Sequence, residues 1–396
     1  MKSSEIISTI LERGVEEVIV KTHLERSLRE GKKLRVKFGI DPTAPNIHLG
    51  HSVPLRKLKQ FQDAGHTIVL IIGDFTARIG DPSGRNDMRK PLSEKEIKEN
   101  MKGYLKEAGL ILDVKKAEIH HNSEWHEKKG LTHILSIAQS ATIQQVLKRD
   151  DFKKRIESDS DISLLELFYP VLQGYDSVEV NADVEIGGTD QKFNLLMGRR
   201  VQRHFGMEEQ DVLTVPLLEG TDGVKKMSKS VGNYIALGDK PNDMFGKIMT
   251  IPDSLIEKYY TLLTDEKADI SDPYASKTHL AEIVTELYHG KKNAEKAKDF
   301  FVTTFSKKEI SEDIPELFIE KYFWDTTISG NTSTAFAIVK RINPDMSNSE
   351  IRRLIEQGGL SIDAQKKQDP EEVIPEPKKD MLVKVGKKRF VKIRVK

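Results

Sequence analysis

In "LRVKFGIDPTAPNIHLGH", residues 34–51, Val36, Phe38 and Ile40 share one side of a period of two, the pattern of a strand. The strand runs out at Asp41 into a turn, "PTAPNI". A helical pattern follows, with Val53, Leu58 and Phe61 on one face despite Pro54. Next comes "HTIVLIIGD" (66–74), whose unbroken apolar run suits a strand covered on both faces. Strands separated by helices predict an α/β layer architecture around a parallel sheet.

The two histidines of this stretch stand where its helix begins. A helix starting near His48 places His48 and His51 on the same side of the first turn. First-turn amides lack partners within the helix and attract anions; two imidazole donors add hydrogen bonds that strengthen as charge develops on a phosphate. Gly50 leaves room at the backbone for a ligand, and Thr43 offers a hydroxyl. Taken alone, the pair is a weak signal and reads more readily as ordinary surface or capping groups. Neither GxxxxGK(S/T) nor a GxGxxG after the first strand is present, which leaves a P-loop nucleotidase or a dinucleotide oxidoreductase without support.

The remaining sequence supplies a second half to the sheet. "IGDPSGR" (79–85) is dense in turn residues, and residues 93–170 read as a mainly helical insertion. "SVEVNADVEIGG" then leads into the helical "TDQKFNLLMGRRVQRHFG", and "VLTVPLL" (212–218) is a short apolar strand. Beyond "GTDGVKKMSKS" the pattern is helical to about 330, where "TTISGNTST" interrupts it. Three regions are expected: 1–230, 231–330 and 331–396. "HHNSEWH" (120–126) offers His120, His121 and His126 but lacks the H-E-x-x-H spacing of a zinc site, so it reads as a polar surface of the insertion.

A chain of 396 residues with 37% hydrophobic and 32% charged residues fits a globular protein of two or three domains. It contains no cysteine, which excludes disulfides, thiolate nucleophiles and thiolate-held metals. "MKSSEIISTILERG" lacks a signal-peptide pattern and no window approaches 18 apolar residues, so a cytoplasmic protein without a membrane span is expected. Charge is unevenly placed. Residues 340–396 hold 15 Lys or Arg against 9 Asp or Glu, within a chain whose net charge is +1. "SNSEIRRLIEQGGLSID" (347–363) reads as an amphipathic helix closed by a glycine pair, and "DMLVKVGKKRFVKIRVK" (380–396) as a hairpin with a basic face suited to a phosphate backbone.

Together, "HLGH" and "KMSKS" (226–230) resemble the paired signatures of class I aminoacyl-tRNA synthetases. The stretches "FGIDPTAPNIHLGH", "GDFTARIGDPSG", "YPVLQGYD", "GGTDQKFNLLMGR" and "LLEGTDGVKKMSKS" resemble the tyrosyl-tRNA synthetase family specifically. The likeness implies a Rossmann-like parallel-sheet catalytic domain with a helical insertion, then an α-helical domain near the tRNA anticodon stem, then a small α+β S4-like RNA-binding domain. It implies ATP as a substrate with Mg2+ bound through it, L-tyrosine and tRNA(Tyr) as partners, and a homodimer with one tRNA spanning both subunits.

Residue by residue, the resemblance implies that His48 and His51, with Thr43, contact the ATP phosphates and that Gly50 lies under the adenine. Lys226 and Lys229, with Met227, Ser228 and Ser230, would form a mobile loop over the β and γ phosphates. Asp41 would hold the amino acid or ATP, and Asp190 the ribose or the pocket wall. Tyr169, Gln173 and Asp81 would grip the tyrosine ammonium, Gln191 would join the same pocket, and Asp176 would accept the phenol hydrogen bond. Where one branch of the family has a tyrosine that reads the phenol, this chain has Lys37, a candidate donor to it. Arg352, Arg353, Lys387, Lys388 and Arg389 are the candidate RNA contacts. A tryptophanyl relative and an RNA-binding protein built on an inactive core are the competing readings.

Overall fold

The structure is a computed structural model that describes residues 3–43, 46–83, 92–306, 316–320, 323–324, 332–363, 365–377, 380–386 and 389–395. Six strands form the first sheet: β1 (Glu17–Ile19), β2 (Arg35–Ile40), β3 (Thr67–Ile72), β4 (Glu118–His121), β5 (Val184–Gly188) and β6 (Asp211–Val215). Their spatial order is β1-β6-β5-β2-β3-β4, and every neighbouring pair is parallel except β1 with β6. From β2 the chain moves outward to β3 on one side and later returns to β5 on the other. The crevice beyond the carboxyl ends of β2 and β5 is therefore a topological switch point, where open α/β sheets bind ligands.

The helix between β2 and β3, Leu49–Asp63, buries Leu49, Val53, Leu55, Leu58 and Phe61 against the sheet, and His48 is its extended N-cap. Pro54 lies inside it and has no amide to offer the Gly50 carbonyl four residues earlier. The insertion departs from expectation in one respect. Residues 118–121 form strand β4, paired with β3, and so extend the sheet. Its residues, EIHH, are too polar to read as a strand, because β4 is a partly exposed edge.

The chain divides into two compact units, Met1–Lys298 and Asp299–Lys396. The helices Pro241–Met249, Ile256–Leu263 and Pro273–His289 belong to the first unit, and Ile256–Leu263 packs on the histidine helix. The boundary expected near 330 falls on residues outside the described ones, while the end of "TTISGNTST", Thr332–Thr334, is a strand of the second unit.

The second unit has strands β7 (Glu316–Ile319), β8 (Thr332–Thr334), β9 (Leu360–Ile362), β10 (Gln365–Lys367), β11 (Val373–Pro375), β12 (Met381–Val385) and β13 (Arg389–Val395). Five of them form a sheet in the order β10-β9-β12-β13-β7, with the expected hairpin at β12 and β13. Its core contains Trp324, Ile338, Ile342, Ile351, Ile355, Val383 and Ile393. Among the described residues no helix is long and apolar enough to cross a membrane.

Candidate active site

The carboxyl ends of β2, β3, β5 and β6 open into one cavity of about 370 Å3. Asp41 and Thr43 reach it from the end of β2, and Asp190 and Gln191 from the end of β5. The histidine helix adds His48, Gly50 and His51, helix Leu164–Glu179 adds Tyr169, Gln173 and Asp176, and the segment beyond β6 adds Lys226, Met227 and Ser228. Asp81 completes the wall. Residues spread over almost two hundred positions thus converge on the switch point.

At one end the two imidazoles meet with ring centroids 3.9 Å apart. The backbone N–H of His48 donates to Nδ1 of His51 at 3.3 Å, which leaves the His51 proton on Nε2. Burial, then the neighbouring His51, Lys229 and Lys226, pushes the His48 pKa down to about 2; burial and the same lysines lower His51 to about 4. Both rings are neutral near pH 7 and act as donors through N–H dipoles.

The cations beside them are already engaged. Lys226 pairs with Asp190 at 2.8 Å. Lys229 donates to the Asn46 carbonyl, and neither it nor Ser230 lines the cavity. The segment is held by Asn233, which accepts the Ser228 N–H at 2.8 Å and donates to the Asp222 carboxylate. Gly223 has φ +73°, and a Cβ there would lie 2.4 Å from Pro252, so this glycine serves a tight turn against a neighbour. Two backbone bonds, Leu49 N–H to the Ile235 carbonyl and Leu237 N–H to the Ile47 carbonyl, both 3.0 Å, tie the histidine segment to the residues following Ser230.

At the other end carboxylates dominate. Asp41 accepts hydrogen bonds from the Tyr169 hydroxyl at 3.0 Å and the Thr76 hydroxyl at 2.8 Å. Burial, then Asp41, raises the Tyr169 pKa well above that of an ordinary phenol and keeps it a donor. Gly73 permits this arrangement, since a Cβ there would lie 2.1 Å from the Asp41 carboxylate. Asp81 accepts from the Gln191 amide at 2.7 Å. Asp176 is buried; its Oδ1 accepts from the Trp125 indole at 2.9 Å and lies 3.2 Å from Nε2 of His126. Asn122 donates to the Thr76 hydroxyl at 3.0 Å and to Oδ2 of Asp176 at 3.4 Å, so it links Asp176 through Thr76 to Asp41.

Residues 29–306 match the family described as tRNA synthetases class I (W and Y). The chain is 44% identical over 398 residues to the tyrosine–tRNA ligase of Thermotoga maritima, covering 97% of this chain and 96% of that one. It is 44% identical over 407 residues to that of Oleidesulfovibrio alaskensis, covering the whole of both. The chain belongs to the tyrosyl-tRNA synthetases. Among solved structures, a C-terminally truncated mitochondrial tyrosyl-tRNA synthetase of Aspergillus nidulans superposes with a TM-score of 0.64 at 25% identity, over 76% of this chain and 94% of that one. The enzyme from Archaeoglobus fulgidus, solved with L-tyrosine, shares the fold with a TM-score of 0.62 at 24% identity, over 75% of this chain and all of that one.

This synthetase departs from the sequence reading in two places. Lys37 does not reach the cavity: its ammonium is wholly buried, pairs with Glu185 at 2.9 Å, and donates to the Ser177 hydroxyl at 2.8 Å and the Gln173 carbonyl at 3.0 Å. A lysine at the middle of a central strand must bring its counterion with it, and the in-register neighbour Glu185 supplies one. Nor is "HHNSEWH" a polar surface. His120 and His121 lie on β4, while Asn122, Trp125 and His126 are buried behind Asp176. Among the described residues no group of three or more His, Asp or Glu stands together as a metal site.

Other supports of the site had no sequence signal. Helix Glu94–Ala108 props the turn before the histidines: Asn100 donates to the Pro42 carbonyl at 3.0 Å, and Glu107 accepts the Ile47 N–H. Arg149 donates to Ser83 at 2.8 Å and to Asn194 at 2.6 Å, steadying the Asp81 turn.

In the second unit of the synthetase, Arg352 pairs with Glu371 at 2.9 Å and lies over the Phe336 ring, while Arg353 is exposed. Arg389 donates to Asn343, so it faces its own unit. Lys387 and Lys388 lie outside the described residues.

Proposed function

We propose that the cavity activates L-tyrosine in its Asp176 half and binds ATP in its histidine half. The tyrosine carboxylate attacks the α-phosphate, the bond to the β-phosphate breaks and pyrophosphate leaves; the 3′-terminal ribose hydroxyl of tRNA(Tyr) then attacks the adenylate carbonyl and AMP leaves. The attacking carboxylate is ionised near pH 7 and needs no base, so catalysis rests on positioning and on donors aimed at developing charge. His48, His51 and Thr43 serve the phosphates, and Gly50 leaves space for the adenine. Lys226 transfers from Asp190 to phosphate, and Lys229, with Ser230, follows when the 226–230 segment closes. Magnesium arrives on the ATP.

Asp41, Tyr169, Gln173, Asp81 and Gln191 form the acidic, acceptor-rich pocket for the ammonium, and Asp176 accepts the phenol hydrogen bond. The single observation that carries this reading is the meeting of both signature segments and Asp176 in one cavity.

The assembly is a homodimer in this reading. Its support is the exposed set Leu131, Leu135, Ile143, Leu164 and Leu165 on helices of the insertion that pack side by side. Residues 231–330 lie toward the anticodon stem, residues 331–396 grip tRNA through Arg353 and the lysines at 387 and 388, and the enzyme works in the cytoplasm, where its substrates are. The test is exchange of labelled pyrophosphate into ATP, measured with each of the 20 amino acids. Tyrosine alone should support it; exchange with tryptophan would overturn the role of Asp176, and exchange with none would overturn the catalytic assignment.

A further inference from the structure

Behind Asp176 stands a histidine that the activation chemistry does not use. The His126 side chain is wholly buried, with Phe75, Trp125, Tyr175 and His133 around it at ring-centroid distances of 5.1 to 6.2 Å. Its walls are aromatic rings, against which an apolar side chain would also pack. Instead the imidazole leaves its Nδ1 buried without a hydrogen-bond partner, a penalty that packing does not explain. Among the described residues the imidazole's one polar contact is Nε2 with Oδ1 of Asp176 at 3.2 Å.

We propose that His126 is a positioning residue for tyrosine selection: its Nε2–H, together with the Trp125 indole, occupies both lone pairs of Asp176 Oδ1 and turns the remaining acceptor of Oδ2 toward the substrate phenol. This rests on Asp176 being the phenol acceptor. Among the described residues Oδ2 carries only the long 3.4 Å contact from Asn122, so one lone pair remains for the cavity. Phenylalanine leaves that acceptor unpaired, and the sharper its aim, the larger the discrimination.

The experiment measures pyrophosphate exchange with tyrosine and with phenylalanine for the intact enzyme, His126→Leu, His126→Gln and Asp176→Asn, with thermal melting of each. His126→Leu should raise the tyrosine KM about tenfold, the size of one lost hydrogen bond. It should change kcat less than twofold and leave the phenylalanine KM unchanged. His126→Gln, which keeps a donor near the Nε2 position, should recover most of the loss. An unchanged tyrosine KM in His126→Leu, equal rises for both amino acids, or a folded Gln variant no better than Leu would each overturn the proposal. Asp176→Asn separates the two levels. If it preserves discrimination, the phenol reading itself fails; if it abolishes discrimination while His126→Leu does not alter it, only the role of His126 fails.

Discussion

The two ends of the cavity are built on opposite plans. At the carboxylate end every charge has its partners before any ligand arrives: Asp41 holds Tyr169 and Thr76, Asp176 holds Trp125 and Asn122, and Lys37 and Glu185 neutralise each other beneath them. At the histidine end the donors are held back. The rings are kept neutral by burial, Lys226 rests on Asp190 and Lys229 on a backbone carbonyl. An amino acid must be recognised in its ground state, which favours a rigid acceptor set. A phosphate must be stabilised most strongly as its charge shifts, which favours donors that engage late.

The largest effect should come from the rigid end. Lys37→Met leaves Glu185 buried without its counterion, and the loss of one partner of such a pair costs about 3–5 kcal/mol. Urea unfolding of the variant should show it, and Lys37→Met with Glu185→Leu should recover most of the loss. A single variant as stable as the parent would break the claim that this end is built on committed charge.

Next comes His48→Ala. Removing a donor aimed at a developing oxyanion costs about 10²–10³ in kcat. The tyrosine KM should stay within about twofold, because the ring is far from the carboxylate set in role. Pyrophosphate exchange at saturating ATP reads both constants, and a raised tyrosine KM with normal kcat would merge the two ends into one.

How much of this was legible in the sequence follows the same division. The histidine end announces itself in short local words, because a helix start and a lysine loop are contiguous in the chain. The strands that carry them were legible too, since β3 is buried on both faces and reads as an apolar run. The carboxylate end is assembled from side chains far apart, and its supports are polar residues made buried only by the fold. Asn122, Trp125 and His126 follow an edge strand of four partly exposed residues, so no periodicity marked their segment. Lys37 misled for a related reason: a lysine in a strand suggests a solvent or ligand contact, and only the register with Glu185 explains its burial.

The neutral state of the histidines predicts a pH dependence. Their folded pKa values, about 2 and about 4, lie below that of an unfolded histidine, roughly 6.5. Between those values the unfolded chain binds protons that the folded chain does not, so stability falls as pH drops below about 6.5 and is unaffected above it. His51→Gln removes one such group. Its unfolding free energy should decline less steeply than that of the parent between pH 6.5 and 4, by up to about 1.4 kcal/mol per pH unit. Parallel slopes would mean that His51 is charged in the folded enzyme and that the histidine end is not held neutral.

The smallest effect carries the contrast between committed and available charge into the second unit. Arg394 is bound to Asp380 at 3.1 Å and Glu316 at 2.9 Å, whereas Arg353 is exposed on helix Asn348–Glu356. A cation that already neutralises two carboxylates releases few counterions when RNA binds. Arg353→Ala should therefore reduce the slope of log affinity for tRNA against log salt by about 1, and Arg394→Ala should hardly change it. Filter binding across a salt series distinguishes them. Equal slopes for both variants would show that ion pairing in the free protein does not determine which arginines meet the phosphates, and the principle would then hold only within the cavity.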